Sequence, residues 1–268
     1  MSPEPAARED LSGIRGLLLD LDGCVVAGSG REAIPGAIEA VAALRRLRPL
    51  RFVTNTTSRS RAWLAGALAR AGFEVVEAEI VTPVSLASRI LPERGRARGV
   101  LVADEGLRDE LDWFEEVPPE SPRAVLLATE AHDRPVLALR DAVVALRSGA
   151  RLYTLQENRV FERDGRILTD LGPVAAFLGY AAGVGWENLG KPSPLLFAAL
   201  ASELGCSVNE LAMVGDDAEF DVAGALRAGV GAGVLVRTGK YRGGDETRFE
   251  PRPTLVLDSI AALPGRLA

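Results

Sequence analysis

At 268 residues, 47% hydrophobic and 25% charged, the chain is long enough for two cores at the rough prior of ~150 residues per domain. Its net charge of −6 is the wrong sign for gripping a nucleic-acid backbone, and no segment reaches the ~18 apolar residues a membrane span needs. Two cysteines, Cys24 and Cys206, cannot form a disulfide framework and predict a reduced, cytoplasmic setting.

Met1 to Asp10 holds acidic residues and two prolines without an apolar stretch, which predicts a frayed tail rather than a signal peptide. Gly16 to Leu19 is a continuous apolar run, as expected of a strand buried on both faces of a parallel sheet, and it ends in Asp20-Leu-Asp22-Gly23. Pro35 suits a first helical position, and Ile34, Ile38, Val41, Leu44 and Leu47 follow at helical spacing. Arg51-Phe52-Val53 reads as a short strand delivering Thr54-Asn55. Ser58 or Ser60 can cap the next helix, which carries Trp63, Leu64, Ala67 and Leu68 as packing residues and ends near Gly72.

The stretch before the next polar motif is too long for a connection and has its own elements. Arg94 to Arg98 reads as a solvated turn. Gly99 to Val102 and Ala124 to Ala128 read as strands, and Leu107 to Phe114 and Pro135 to Leu146 as helices, with Trp113 packing in the first. His132, with no metal-type partner, reads as a surface residue. Tyr153, Val160, Phe161 and Ile167 flank Asp164-Gly165, a hairpin-type turn, and Pro173 opens a helix through Ala182. After Gly190-Lys191-Pro192, the run Leu211 to Val214 leads into Gly215-Asp216-Asp217 with Asp221. A helix through Ala228 follows, then a strand over Gly233 to Val236. Alternating strand and helix predicts a doubly wound parallel-sheet α/β core, residues 1–95 and 186–268, with an α/β domain at 96–185 inserted as a lid.

Asp20, Asp22, Asp216 and Asp221 in one cleft would repel one another unless a cation sat among them, and an oxygen-held divalent ion, Mg²⁺, fits best. Asp20 is then placed to attack phosphorus, forming an aspartyl-phosphate, and Asp22 to protonate the leaving oxygen and later deprotonate water. The Thr54 hydroxyl, the Asn55 amide and Lys191 suit phosphate oxygens. Taken singly, each has a plainer reading. Asp216 and above all Asp217 could cap the following helix, Lys191 could be a loop lysine, and Cys24 reads as a small space-filling residue.

The four segments Asp20-x-Asp22-Gly23, Thr54-Asn55, Lys191-Pro192 and Gly215-Asp216-x-x-x-x-Asp221 resemble, in order, the motifs of the haloacid dehalogenase superfamily of phosphatases. The insertion resembles the NagD-like capped subfamily IIA, and Leu171-Gly-Pro173 and Arg237-Thr-Gly-Lys-Tyr-Arg242 resemble its phosphohistidine- and phospholysine-phosphatase branch. The resemblance implies a Rossmann-like core, Asp20 as nucleophile, Asp22 as acid/base and metal ligand through its backbone carbonyl, and Thr54 and Lys191 on phosphate. It further implies Asp216 on Mg²⁺, with Asp221 bound directly or one layer out. The expected activity is hydrolysis of a small phosphorylated metabolite, with phosphoamide or pyrophosphate hydrolysis as the alternative and a silent binding protein as a reading from another class. A homodimer through the cap is expected by the same analogy.

Overall fold

The computed structural model describes residues 11–27, 32–129, 139–163 and 166–267. The N-terminal tail, His132, the start of the helix expected from Pro135 and the Asp164-Gly165 turn lie outside them. Contacts divide the chain into two units, Met1–Thr54 with Arg61–Val81 and Pro192–Ala268, and Asn55–Ser60 with Thr82–Lys191.

The first unit is built on a six-stranded parallel sheet. Its order is Leu255–Leu257, Ala232–Val236, Leu211–Gly215, Gly16–Leu19, Leu50–Val53 and Ile80–Val81. The central strands are apolar throughout because both faces are covered, which hides Leu17, Leu18, Leu19, Val214 and Val234 from solvent completely. Helix Ala37–Leu47 buries Ala37, Ala40, Val41 and Leu44. Pro35 falls in the turn before it, because Gly36 takes a left-handed N-cap conformation and starts the helix two residues later than expected. Helix Arg61–Arg70 buries Leu64, Ala67 and Leu68 but leaves Trp63 40% exposed, so that tryptophan is not the packing residue its spacing implied. Leu64 and Leu68 occupy the buried face instead.

The second unit has a five-stranded parallel sheet ordered Trp186–Asn188, Arg151–Thr154, Ala124–Leu127, Arg98–Val102 and Glu115–Glu116. Helices Pro83–Glu93, Arg140–Arg147 and Leu171–Ala182 belong to it, as does an antiparallel hairpin, Val160–Arg163 with Arg166–Thr169. Tyr153 lies in the Arg151–Thr154 strand, 1% exposed, rather than beside the hairpin. The helix expected over Leu107 to Phe114 is instead 3₁₀ turns, Glu105–Leu111. Leu107 and Phe114 donate three residues back, and the chain must straighten at once into the strand at Glu115. Pro173 sits in the first turn of helix Leu171–Ala182, where no N–H is needed, and Asp170 caps it by accepting from the Leu171 N–H at 2.9 Å. The arginine turn is partly engaged: Arg94 donates to Glu187 at 2.7 Å and Arg96 to the Arg123 carbonyl at 3.0 Å. No described helix is long and apolar enough to cross a membrane.

Phe52 is fully buried in the strand between Gly16–Leu19 and Ile80–Val81. Phe52→Ala should cost about 3–5 kcal/mol through lost burial and the cavity left behind, read as a lower urea midpoint for the transition that melts this unit.

Candidate active site

Parallel register brings the acid-bearing loops of the first unit together. Leu19 pairs with Val214 on one side and Phe52 on the other, so Asp20, Gly215-Asp216 and Thr54 leave neighbouring strands at the same, carboxyl, edge. The Asp20 N–H donates to the Val214 carbonyl at 2.9 Å and the Thr54 N–H to the Val81 carbonyl at 3.1 Å, extending the ladder to the residues that matter. Among the described residues, the carboxylates of Asp20, Asp216 and Asp221 offer oxygens that all lie within 4.8 Å of one another. They are 7%, 2% and 3% exposed.

Burial, and then the charges of Asp20 and Asp221, push the Asp216 carboxyl up to about 8, against the opposing pull of the Lys240 N–H and ammonium. Three buried carboxylates that repel one another at this spacing are matched to a small hard cation with oxygen ligands. The donor set therefore fits a divalent metal ion.

Asp221 owes its position to an unusual turn. Ala218–Ala223 is a π-helix, in which the Asp221 N–H donates to the Asp217 carbonyl at 3.0 Å and the Val222 N–H to the same carbonyl at 3.2 Å. Asp217 is the cap, as its plainer reading held, accepting from the Glu219 and Phe220 N–H groups at 3.1 and 3.0 Å. Asp216 is not a cap. Its Oδ2 accepts from the Lys240 N–H at 2.6 Å.

The Asp20–Gly23 loop is tightly wound, with the Cys24, Val25 and Val26 N–H groups all directed at the Leu21 carbonyl. Gly23 has φ +89°, and a Cβ there would run into the Asp216 carboxylate. The same holds for Gly239, at φ +57°. Asp22 is exposed and its side chain lies outside the acidic cluster. Cys24 is fully buried, with its Sγ 3.7 Å from the Val214 carbonyl oxygen, which is the space-filling role.

Lys191 and Asn55 belong to the second unit. The Asn55 side chain grips the Lys191 peptide from both sides: its Oδ1 accepts from the Lys191 N–H at 2.7 Å and its Nδ2 donates to the Lys191 carbonyl at 2.9 Å. Asn188 holds the preceding glycine, accepting from the Gly190 N–H at 3.0 Å. Lys191 is 2% exposed, so its loop is built rather than loose. The side-chain role of Asn55 was not legible in the sequence, where only its backbone amide drew notice. Nor was the role of Thr238-Gly239-Lys240, a string whose composition carries no chemical signal.

Two family models match the chain: haloacid dehalogenase-like hydrolase over residues 17–115 and HAD-hydrolase-like over 188–263. The phospholysine phosphohistidine inorganic pyrophosphate phosphatase of Bos taurus is 38% identical, with 94% of each chain covered. Haloacid dehalogenase-like hydrolase domain-containing protein 2 of Homo sapiens is 34% identical, over 92% of this chain and 93% of that one. Among solved structures, p-nitrophenyl phosphatase from Archaeoglobus fulgidus superposes with a TM-score of 0.84 at 26% identity, covering 94% of this chain and 98% of that one. NagD from Escherichia coli shares the fold, at a TM-score of 0.80 and 23% identity, covering 92% and 97%.

The raised Asp216 carboxyl contributes stability that is complete below the ordinary aspartate range and is lost as pH rises toward about 8. Asp216→Asn has no such loss and keeps an acceptor for the Lys240 amide. With a chelator present, the melting temperature of the variant minus that of the parent should therefore grow between pH 5 and pH 9, and added Mg²⁺ should raise the parent alone.

Proposed function

Because the chain belongs to the haloacid dehalogenase-like hydrolases, and within them to the phosphatases, we propose that it is a Mg²⁺-dependent phosphatase of a small phosphorylated metabolite acting through an aspartyl-phosphate on Asp20. The observation that carries this reading is the buried Asp20–Asp216–Asp221 cluster at the carboxyl edge of a parallel sheet. Asp216 and Asp221, with an oxygen of Asp20 and the Asp22 carbonyl, are the groups that would hold the ion. When bound, the ion supplies positive charge against the carboxylates and polarises the phosphoryl oxygens.

Asp20 is fixed by its strand and by the N–H bond to Val214, so its carboxylate is presented without a search through backbone conformations. In the first step a bond forms between an Asp20 oxygen and phosphorus while the bond to the leaving oxygen breaks, and that oxygen takes its proton from Asp22. In the second, water attacks the same phosphorus and Asp22 takes the water's proton, returning Asp20 as a carboxylate. The exposure of Asp22 suits a group that must exchange protons with solvent. Thr54 and the Asn55 amide are the proposed donors to phosphate oxygens, and Lys191 the proposed countercharge, on the strength of their motif positions. The second unit is the proposed lid and selector of the leaving group.

Hydrolysis of phosphoamide or pyrophosphate bonds is the second reading, favoured by the activity for which the bovine relative is named. A reducing, cytoplasmic setting is supported by two free cysteines. Pairing of two copies through the second unit is supported by exposed Phe177, Tyr180 and Trp186, and sedimentation tests it.

Phosphate release should be measured from p-nitrophenyl phosphate, sugar phosphates, nucleotides, pyrophosphate and phosphohistidine, with and without Mg²⁺. Release should require Mg²⁺ and fall by at least ~10³-fold in Asp20→Asn. Asp22→Asn should lose most on esters with poor leaving groups and least on p-nitrophenyl phosphate. Release that persists in Asp20→Asn would sink the aspartyl-phosphate route.

A further inference from the structure

Three loops leave adjacent parallel strands of the first unit at one edge: Asp20–Gly23 after Gly16–Leu19, Asp216-Asp217 after Leu211–Gly215, and Arg237–Lys240 after Ala232–Val236. The first two carry the acids. The third carries none, yet it is fastened to both. The Thr238 hydroxyl donates to the Gly23 carbonyl, and the Lys240 N–H donates to Asp216 Oδ2 at 2.6 Å. Between them Gly239 lies so close that a Cβ would strike Asp216 and stand 2.5 Å from the Gly23 Cα. The Lys240 ammonium reaches Asp217 at 3.2 Å. One loop thereby fixes the separation of the two that bear the acids.

Resting on the reading that a divalent ion binds among Asp20, Asp216 and Asp221, we infer that the Thr238–Gly239–Lys240 loop sets the size of cation the site accepts, favouring Mg²⁺ over Ca²⁺. The physical ground is the difference between the two ions. Mg²⁺ needs oxygens at about 2.0–2.1 Å in a near-ideal octahedron, whereas Ca²⁺ takes about 2.3–2.6 Å in a forgiving geometry. A site whose loops can part admits the larger ion at small cost. A site strapped across its loops resists that expansion and keeps its ligands at the shorter spacing. The strap holds Asp216 through main chain and Gly23 through one hydroxyl, so the Thr238 hydroxyl is the part a substitution can remove. Thr238 is a positioning residue: it acts on the ion through the Gly23 turn.

The test is calorimetric titration of Mg²⁺ and Ca²⁺ into full-length parent, Thr238→Val and Thr238→Ser proteins, with Mg²⁺-dependent p-nitrophenyl phosphate hydrolysis measured alongside. Thr238→Val should lose roughly tenfold in Mg²⁺ affinity, the low end of the scale for removing groups that orient metal ligands, because Thr238 acts through the Gly23 turn next to Asp22. Its Ca²⁺ affinity should fall less, so the Mg²⁺:Ca²⁺ preference drops, and the Mg²⁺ concentration for half-maximal rate should rise more than kcat at saturating Mg²⁺ falls. Thr238→Ser should keep the parent's preference. Thr238→Ala removes the same hydroxyl without added bulk and carries the same expectation if valine is not accommodated. A folded hydroxyl-less variant with the parent's Mg²⁺:Ca²⁺ ratio overturns the inference and leaves the phosphatase reading standing. A parent that binds neither ion overturns that reading and the inference with it.

Discussion

Mutual repulsion among Asp20, Asp216 and Asp221 is the force against which the first unit is built. Like charges about 4 Å apart cost on the order of 4 kcal/mol per ionised pair at an effective dielectric near 20, and these three are almost without water. Side chains on mobile loops would relax that strain by moving apart. Here they cannot, because Asp20 and Asp216 continue strands buried on both faces, and the ladder runs past the last regular residue into Asp20 and Thr54. The apolar sheet below supplies the stability that the acidic edge spends, and the raised Asp216 carboxyl records the strain that remains.

The same constraint accounts for the local backbone. Three loops must converge on one carboxylate, and side chains at Gly23 and Gly239 would occupy the space of Asp216 itself. In the second unit, Asn55 and Asn188 do for the Lys191 peptide what strand ends do for the acids: they fix the residue through its main chain.

The buried strands and the acids at their ends were legible because apolar runs terminating in carboxylates are unusual, and an acid after a strand of a parallel sheet has only one edge to occupy. The cap role of Asp217 was legible for a similar reason, since aspartate before a helix has a local partner. Thr238 was not, because it donates to a main-chain carbonyl 215 positions away and such a bond leaves no mark on residue type. Trp63 misled because helical spacing fixes a face but not which neighbours cover it, and Leu64 with Leu68 took the buried side. The segment after Glu105 misled because its apolar spacing fits a helix while the strand at Glu115 leaves too little chain to complete one.

The π-turn at Ala218–Ala223 has a consequence for how this protein can change. A π-turn holds one residue more than an α-turn and persists only where something pins it, so losing one residue between Asp217 and Asp221 would let the backbone settle into ordinary helix. Because the wide turn absorbs its extra residue, Asp221 would keep roughly its side of the helix, but a narrower turn would seat it differently against Asp20 and Asp216. The shortened chain would gain a better-bonded helix while losing the present spacing of the three carboxylates. The extra residue is thus a place where selection for a sturdier fold and selection for an ion-binding one pull in opposite directions.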